Sequence, residues 1–195
     1  LEHGPYVSVN KSDQKSEEGT YKNGKKEGVW TYWHENGQKR SEGSFKNGNQ
    51  KGLWTIWYES GQKWWEGTYK DGKKEGVWTY WDDKGNVTKT ETYKNDQLDG
   101  ASNAYYVTGE KSSKGAYKDG KREGVWTFTS TTGVTITASY AAGVEPKPKW
   151  TDNGWLVDGK HEGVWTYWHE NGQKDQEGTY KDGKREGVWT NWHDD

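Results

Sequence analysis

Glu27-Gly-Val-Trp-Thr-Tyr-Trp-His-Glu-Asn-Gly37 is the stretch that decides the fold. It returns almost verbatim as Glu162-Gly-Val-Trp-Thr-Tyr-Trp-His-Glu-Asn-Gly172. Shorter copies stand at Gly52-Leu-Trp-Thr-Ile-Trp57, Gly76-Val-Trp-Thr-Tyr-Trp81, Gly124-Val-Trp-Thr-Phe128 and Gly187-Val-Trp-Thr-Asn-Trp192. The leading glycine recurs at Gly4, Gly28, Gly52, Gly76, Gly100 and Gly124, then at Gly163 and Gly187, in steps of 24 residues. A second series, Tyr21, Phe45, Tyr69, Tyr93 and Tyr117, keeps the same period. A fixed period of this length marks a stack of supersecondary units.

Each unit reads as two short strands. Gly28 to Glu35 alternates and is rich in Thr, Tyr and Trp, residues that favour strands. Asn36-Gly37 is a hairpin signal, expected as a two-residue loop with positive φ at both positions. Gln38 to Lys46 is the second strand, and Asn47-Gly48 turns the chain again. Equivalent turns are Asn23-Gly24, Asp71-Gly72, Asp119-Gly120, Asp158-Gly159 and Asp182-Gly183. Turns this frequent leave no room for helices. The expected fold is all-β: an elongated single-layer antiparallel β-meander, a solenoid of 24-residue β-hairpin repeats. Each unit should add roughly 10 Å of length.

The array is expected to run over 4–143, about six units, and to continue over 154–195. The interval from Gly124 to Gly163 is 39 residues, and the segment 144–153 carries Pro146 and Pro148, which cannot donate to a ladder. That segment is expected to be an irregular insertion. The last unit stops at Asp195 after one strand, leaving an edge that invites pairing.

Composition fits a thin structure with aromatic faces. Only 28% of residues are hydrophobic, and they are concentrated in 15 Trp and 13 Tyr, rings that bury much area each. Net charge is -2 with both signs interleaved, so electrostatic nucleic-acid binding has no support. With no Cys there is no disulfide framework or thiolate chemistry. No apolar run is long enough for a transmembrane segment. The chain begins at Leu1 and holds no Met, which reads as a processed or excised product; the expected localisation is export, to periplasm, cell surface or medium.

Strand alternation separates two faces. A two-residue loop at Asn36-Gly37 puts Glu35 opposite Gln38, Trp33 opposite Arg40, Tyr32 opposite Ser41 and Trp30 opposite Gly43. The following turn puts Phe45 opposite Gln50 and Gly43 opposite Gly52. One face then carries a structural ladder of Trp30, Trp54, Trp78, Trp126, Trp165 and Trp189, with the Trp30 indole over Gly43. The other face carries Val29, Thr31, Trp33 and Arg40, with Trp33 expected to stack on Arg40 and Trp57 to meet Trp64. Its aromatic stripe is the candidate binding surface: Trp33, Trp57, Trp64, Trp81, Tyr105, Trp168 and Trp192.

The pattern Gly-x-Trp-x-x-Tyr/Trp, Asn-Gly-Gln-Lys, Glu-Gly-x-Tyr-Lys-Asp-Gly-Lys resembles the bacterial variant of the MORN repeat, and proteins catalogued as YwqK-type antitoxin-like. The resemblance covers Gly4 to Asp195 apart from the insertion. It implies a single-sheet β-meander acting as an interaction scaffold. In the wider family it also implies membrane proximity, lipid contact and homodimerisation; this chain has no basic patch of the kind that supports lipid headgroup binding.

No catalytic constellation is expected. His34, His169 and His193 sit at the repeated strand end and read as solvated residues near turns. Glu27, Glu75, Glu123, Glu162 and Glu186 beside Lys25, Lys73, Lys121, Lys160 and Lys184 read as a solvated charge rim. No phosphate-cradling motif occurs. No enzyme activity, cofactor or metal is implied. The first functional expectation is a scaffold binding a protein partner or copies of itself, including a head-to-tail fibre. The alternatives are polysaccharide binding along the Trp33 stripe and neutralisation of a partner toxin.

Overall fold

The computed structural model describes residues 3–140, 148–151, 154–168 and 173–192. Among the described residues there are strands and turns and no helix. The chain forms two compact units, Leu1–Glu110 with Tyr117–Lys121, and Lys111–Ala116 with Arg122–Asp195.

The first unit is an antiparallel meander in chain order: β1 (Gly4–Val9), β2 (Lys15–Lys22), β3 (Lys25–Trp33), β4 (Lys39–Lys46), β5 (Asn49–Trp57), β6 (Lys63–Lys70), β7 (Lys73–Trp81), β8 (Val87–Lys94) and β9 (Gln97–Tyr105). The second holds β10 (Lys111–Lys118, with Tyr117 and Lys118 in the first unit), β11 (Lys121–Thr129, with Lys121 in the first unit) and β12 (Thr135–Tyr140). It continues with β13 (Pro148–Thr151), β14 (Gly154–Val157), β15 (Lys160–Trp168), β16 (Lys174–Lys181) and β17 (Lys184–Asn191). Thus Pro148–Thr151, inside the stretch expected to be irregular, is a strand paired with β14. The rest of 144–153 apart from Thr151 and Pro148–Trp150, the Asn171-Gly172 turn, His169, His193 and Asp195 lie outside the described residues.

The two kinds of turn differ from expectation in an instructive way. Asn47-Gly48 and its equivalents are true two-residue turns with both φ positive, at 52° and 86° here. Asn95-Asp96 achieves the same at 50° and 71° without glycine, which Asn and Asp tolerate through local side-chain bonding. At Asn36-Gly37 only Gly37 has positive φ, at 83°. The loop there is wider: the His34 N–H donates to the Gln38 carbonyl at 2.8 Å, and the Gly37 N–H to the His34 carbonyl at 3.0 Å. Trp33 therefore faces Lys39 and not Arg40, which is bulged out of register. The expected pairs Tyr32 with Ser41 and Trp30 with Gly43 are observed.

A second bulge corrects the ladder. Gly28, Gly52 and Gly76 hold φ near +70°, a conformation costly for residues with a Cβ. Across β4 and β5, Phe45 faces Gln50 as expected, but the register then slips and Gly43 faces Trp54 instead of Gly52. The Trp54 indole lies over Gly43, where a Cβ would fall inside the ring, and the Trp30 indole lies over Gly19. Each ladder Trp thus covers a glycine of the preceding strand rather than of its own hairpin. The same holds for Trp78 over Gly67, and in the second unit for Trp126 over Gly115 and Trp189 over Gly178. The indole N–H of Trp30 donates to the Thr20 carbonyl at 3.2 Å and that of Trp54 to Ser44 at 3.1 Å, while that of Trp78 is buried without a partner.

The core of the first unit is this face. Trp30 and Trp78 are 0% exposed. Trp30 is enclosed by Tyr6, Tyr21, Tyr32 and Phe45, with the Tyr21 and Phe45 rings edge-on. One position swaps sizes: where the ladder would have Trp it has buried Ser102, and facing it Glu91 replaces glycine. The Glu91 carboxylate is paired with Lys89 at 3.0 Å and accepts the Tyr93 hydroxyl at 2.8 Å. A buried carboxylate needs such partners.

In the second unit Trp126, Phe128, Ile136, Ala138, Tyr140, Trp155 and Trp165 form the core. Trp155 joins the later strands to the β11–β12 hairpin: its indole N–H donates to the Val134 carbonyl at 3.3 Å and its ring meets Phe128 at 6.0 Å.

Candidate functional site

The face opposite the ladder is built by the same bulges. The residue after each left-handed glycine turns outward, so Val29, Leu53 and Val77 are 60%, 59% and 61% exposed. Two residues on stands a threonine, then an aromatic ring: Trp33, Trp57 and Trp81, all half-buried. Lysines from the preceding strand lie over two of these rings, Lys15 over Trp33 at 5.7 Å and Lys63 over Trp81 at 5.5 Å.

Glutamates tie this face together. Glu42 accepts the Thr31 hydroxyl at 3.1 Å and the Lys39 ammonium at 2.6 Å, and Glu66 does the same with Thr55 at 3.0 Å and Lys63 at 2.7 Å. In the second unit Glu177 takes Lys174 at 2.7 Å and Thr166 at 2.9 Å. The bond from Lys39 holds the Glu42 carboxyl below the usual range despite partial burial, and Lys174, then Thr166, do so for Glu177. A carboxyl lowered in the folded state stabilises the fold above its unfolded value of about 4.3 and loses that contribution as pH falls through its folded value. The urea midpoint is therefore expected to drop between about pH 5 and pH 3, and the double variant Glu42→Gln/Glu177→Gln to show a shallower drop over that window. Equal slopes in the two proteins would refute the assignment.

The sequence-predicted stripe is only partly brought together. Trp33, Trp57, Trp81 and the half-buried Tyr105 recur at successive odd strands of the first unit. Trp64 does not meet Trp57: it is 47% exposed and lies on Tyr58 at 5.6 Å, because the bulge that displaces Arg40 also displaces Trp64. Arg40 itself lies over Tyr32 at 5.7 Å rather than on Trp33. In the second unit Trp168 is 51% exposed, and Trp192, 38% exposed, has Lys174 at 5.4 Å.

Three repeated roles were missed in the sequence. His34 is not simply solvated: its Nε2 is bonded to the Trp57 carbonyl at 2.9 Å, and Tyr58 at the same repeat position donates to the Trp81 carbonyl at 3.0 Å, linking neighbouring hairpins. Glu27 is a turn clamp, accepting the Asn47 N–H at 2.8 Å, as Glu75 accepts Asn95 at 3.1 Å and Glu162 accepts Asp182 at 2.9 Å. Finally, a cation caps the ladder: Lys26 over Trp30 at 3.9 Å and Lys74 over Trp78 at 4.2 Å, with Arg122 over Trp126 at 4.6 Å and Arg185 over Trp189 at 4.1 Å in the second unit. Such contacts strengthen when desolvated. Burial pulls the Lys26 ammonium down, but its bond to the Tyr32 hydroxyl and the charge of Glu17 outweigh that and raise it. The available signal was a cation two residues before the left-handed glycine in alternate units, at Lys26, Lys74 and Arg122, with Gln50 and Leu98 between them. What hid it is the glycine bulge, which brings residues four apart on a strand within reach.

Among the described residues no group of three or more His, Asp or Glu could hold a metal ion. Nor does any described residue belong to a helix long and apolar enough to cross a membrane. What the surface offers is a periodic relief of aliphatic, hydroxyl, aromatic and charged groups, which is recognition chemistry.

No curated protein matches the chain. The family model described as the MORN repeat variant matches residues 26–47, 50–71, 74–95 and 162–182, that is, three consecutive hairpins of the first unit and one of the second. The long unmatched stretch between them includes Ser102 in place of a ladder Trp. These four repeats are MORN repeat variants, a family whose repeats are non-catalytic scaffolds for binding proteins or membranes.

Proposed function

We propose that this chain is a non-enzymatic scaffold whose face opposite the Trp ladder docks a protein partner. The carrying observation is the row Val29, Leu53 and Val77, each about 60% exposed at the same place in consecutive hairpins. Exposed apolar groups repeated along one face, with the hydroxyl residues Ser44 and Thr68 between them and charge around them, fit an interaction surface. The partner that fits presents its own apolar ridge, flanked by charges that alternate with the Lys39–Glu42 and Lys63–Glu66 pairs. Glycan stacking is less well supported, since Lys15 and Lys63 cover the Trp33 and Trp81 rings that sugars would need.

The test begins with a photo-crosslinking amino acid at position 53 in the native host, followed by reconstitution with the purified partner. The triple variant Val29→Lys/Leu53→Lys/Val77→Lys should weaken that complex on the order of 100-fold. Its unfolding midpoint should stay near wild type, because substitutions at exposed sites cost within about 0.5 kcal/mol each. Unchanged affinity, or adducts only with polysaccharide, would sink the reading. Adducts between two copies of the chain would identify the partner as itself.

A further inference from the structure

In four even-numbered strands the opening lysine pairs with a glutamate three residues on, in Lys15–Glu18 at 2.8 Å, Lys39–Glu42 at 2.6 Å, Lys63–Glu66 at 2.7 Å and Lys174–Glu177 at 2.7 Å. β8 lacks the lysine and opens on Val87, whereas β10 keeps it and departs from the repeat at the two positions around it. The tryptophan of the next strand lies beneath that lysine at Trp33, Trp81 and Trp192. At Lys111 the glutamate position holds Lys114 and the tryptophan position holds Thr129. An ion pair becomes two cations, and the volume of an indole is missing.

The space left is a recess of about 250 Å³ in the second unit, lined by Lys111, Ser113, Lys114, Thr127, Thr129 and Thr135. No carboxylate lines it, and neither lysine has an ion-pair partner among the described residues. The Thr129 and Thr135 hydroxyls are 3.0 Å apart across β11 and β12. We propose that this recess binds a tetrahedral oxyanion, a phosphate or sulfate group. Two ammonium groups supply the charge, and the Ser113 and Thr127 hydroxyls that also line the recess supply donors that such oxygens accept. The lysines act as point charges, so no planar bidentate geometry is demanded of the ligand. The volume leaves room for part of a molecule carrying the group.

The site is independent of whatever protein docks on the first unit. Its test is an NMR titration of the ¹⁵N-labelled chain with inorganic phosphate and, separately, inorganic sulfate, at constant ionic strength. Saturable shifts are expected at the amides of Lys111, Lys114, Thr127 and Thr129, with the regular pair Lys63 and Glu66 unmoved. A like response to both anions supports a general oxyanion site, and a response to one alone supports a selective one. Lys114→Glu and Thr129→Trp each restore the residue that regular repeats carry, so both variants should fold. Each should weaken binding on the order of tenfold or more. Wild-type affinity in either variant, shifts of equal size at Lys63, or no response to either anion overturns the proposal.

Discussion

Gly67→Ala is expected to destabilise the protein by about 3 kcal/mol or more in urea unfolding. Gly67 lies in β6 under the Trp78 indole, and an added Cβ would fall inside that ring. Trp78 is fully buried, against Trp65 at 4.8 Å and Tyr69 at 5.0 Å, so the ring has nowhere to retreat without losing its packing. The informative control is Gly76→Ala. Gly76 has open space around its missing Cβ but a φ of +71°, so only backbone strain opposes the substitution. That strain costs about 1–2 kcal/mol. The order, with Gly67 clearly the worse site, separates close ring packing from conformational strain. The reverse order would show that the ladder is not seated on its glycines.

Trp78→Ala is expected to cost about 3–5 kcal/mol. The indole carries the Lys74 ammonium at 4.2 Å and the Tyr93 ring at 5.9 Å, and both lose their contact with it. In a repeat array most contacts are with neighbouring units, so the damage should be local. Amide exchange should accelerate across β6, β7 and β8 before it does in β2 and β3. Position 102 shows the condition under which the ladder tolerates a small residue. There Ser102 faces Glu91, whose larger side chain and pairing with Lys89 replace the lost ring. Trp78→Ala opposite Gly67 has no such replacement. Trp64→Ala, at a residue 47% exposed, should cost under about 1 kcal/mol.

Much of this architecture was legible in the repeat itself. The strict recurrence of Gly28, Trp30 and Tyr32 indicates hairpins in chain order, and alternation places Trp30 and Trp33 on opposite faces. Which glycine supports which tryptophan was not legible. Pairing rules carry a register from one turn to the next only while the strands are regular, and Gly28, Gly52 and Gly76 introduce slips that no two-residue pattern encodes. The same slips, with the one at Arg40, moved Trp64 off the candidate stripe and brought Lys26 onto the ladder. The departures Ser102, Lys114 and Thr129 were visible as letters. Only their position against Glu91, Lys111 and Thr135 gives them physical meaning.

The separation of the two faces is tested most directly by hydroxyl-radical footprinting of the folded chain, read tryptophan by tryptophan by mass spectrometry. Trp30, Trp54, Trp78, Trp126 and Trp165, all 4% exposed or less, are expected to be protected until the protein unfolds. Trp64 and Trp168, at 47% and 51%, are expected to oxidise at rates approaching those of the unfolded chain. Rapid oxidation of Trp30 and Trp78 with protection of Trp64 and Trp168 would contradict the assignment of core and docking faces.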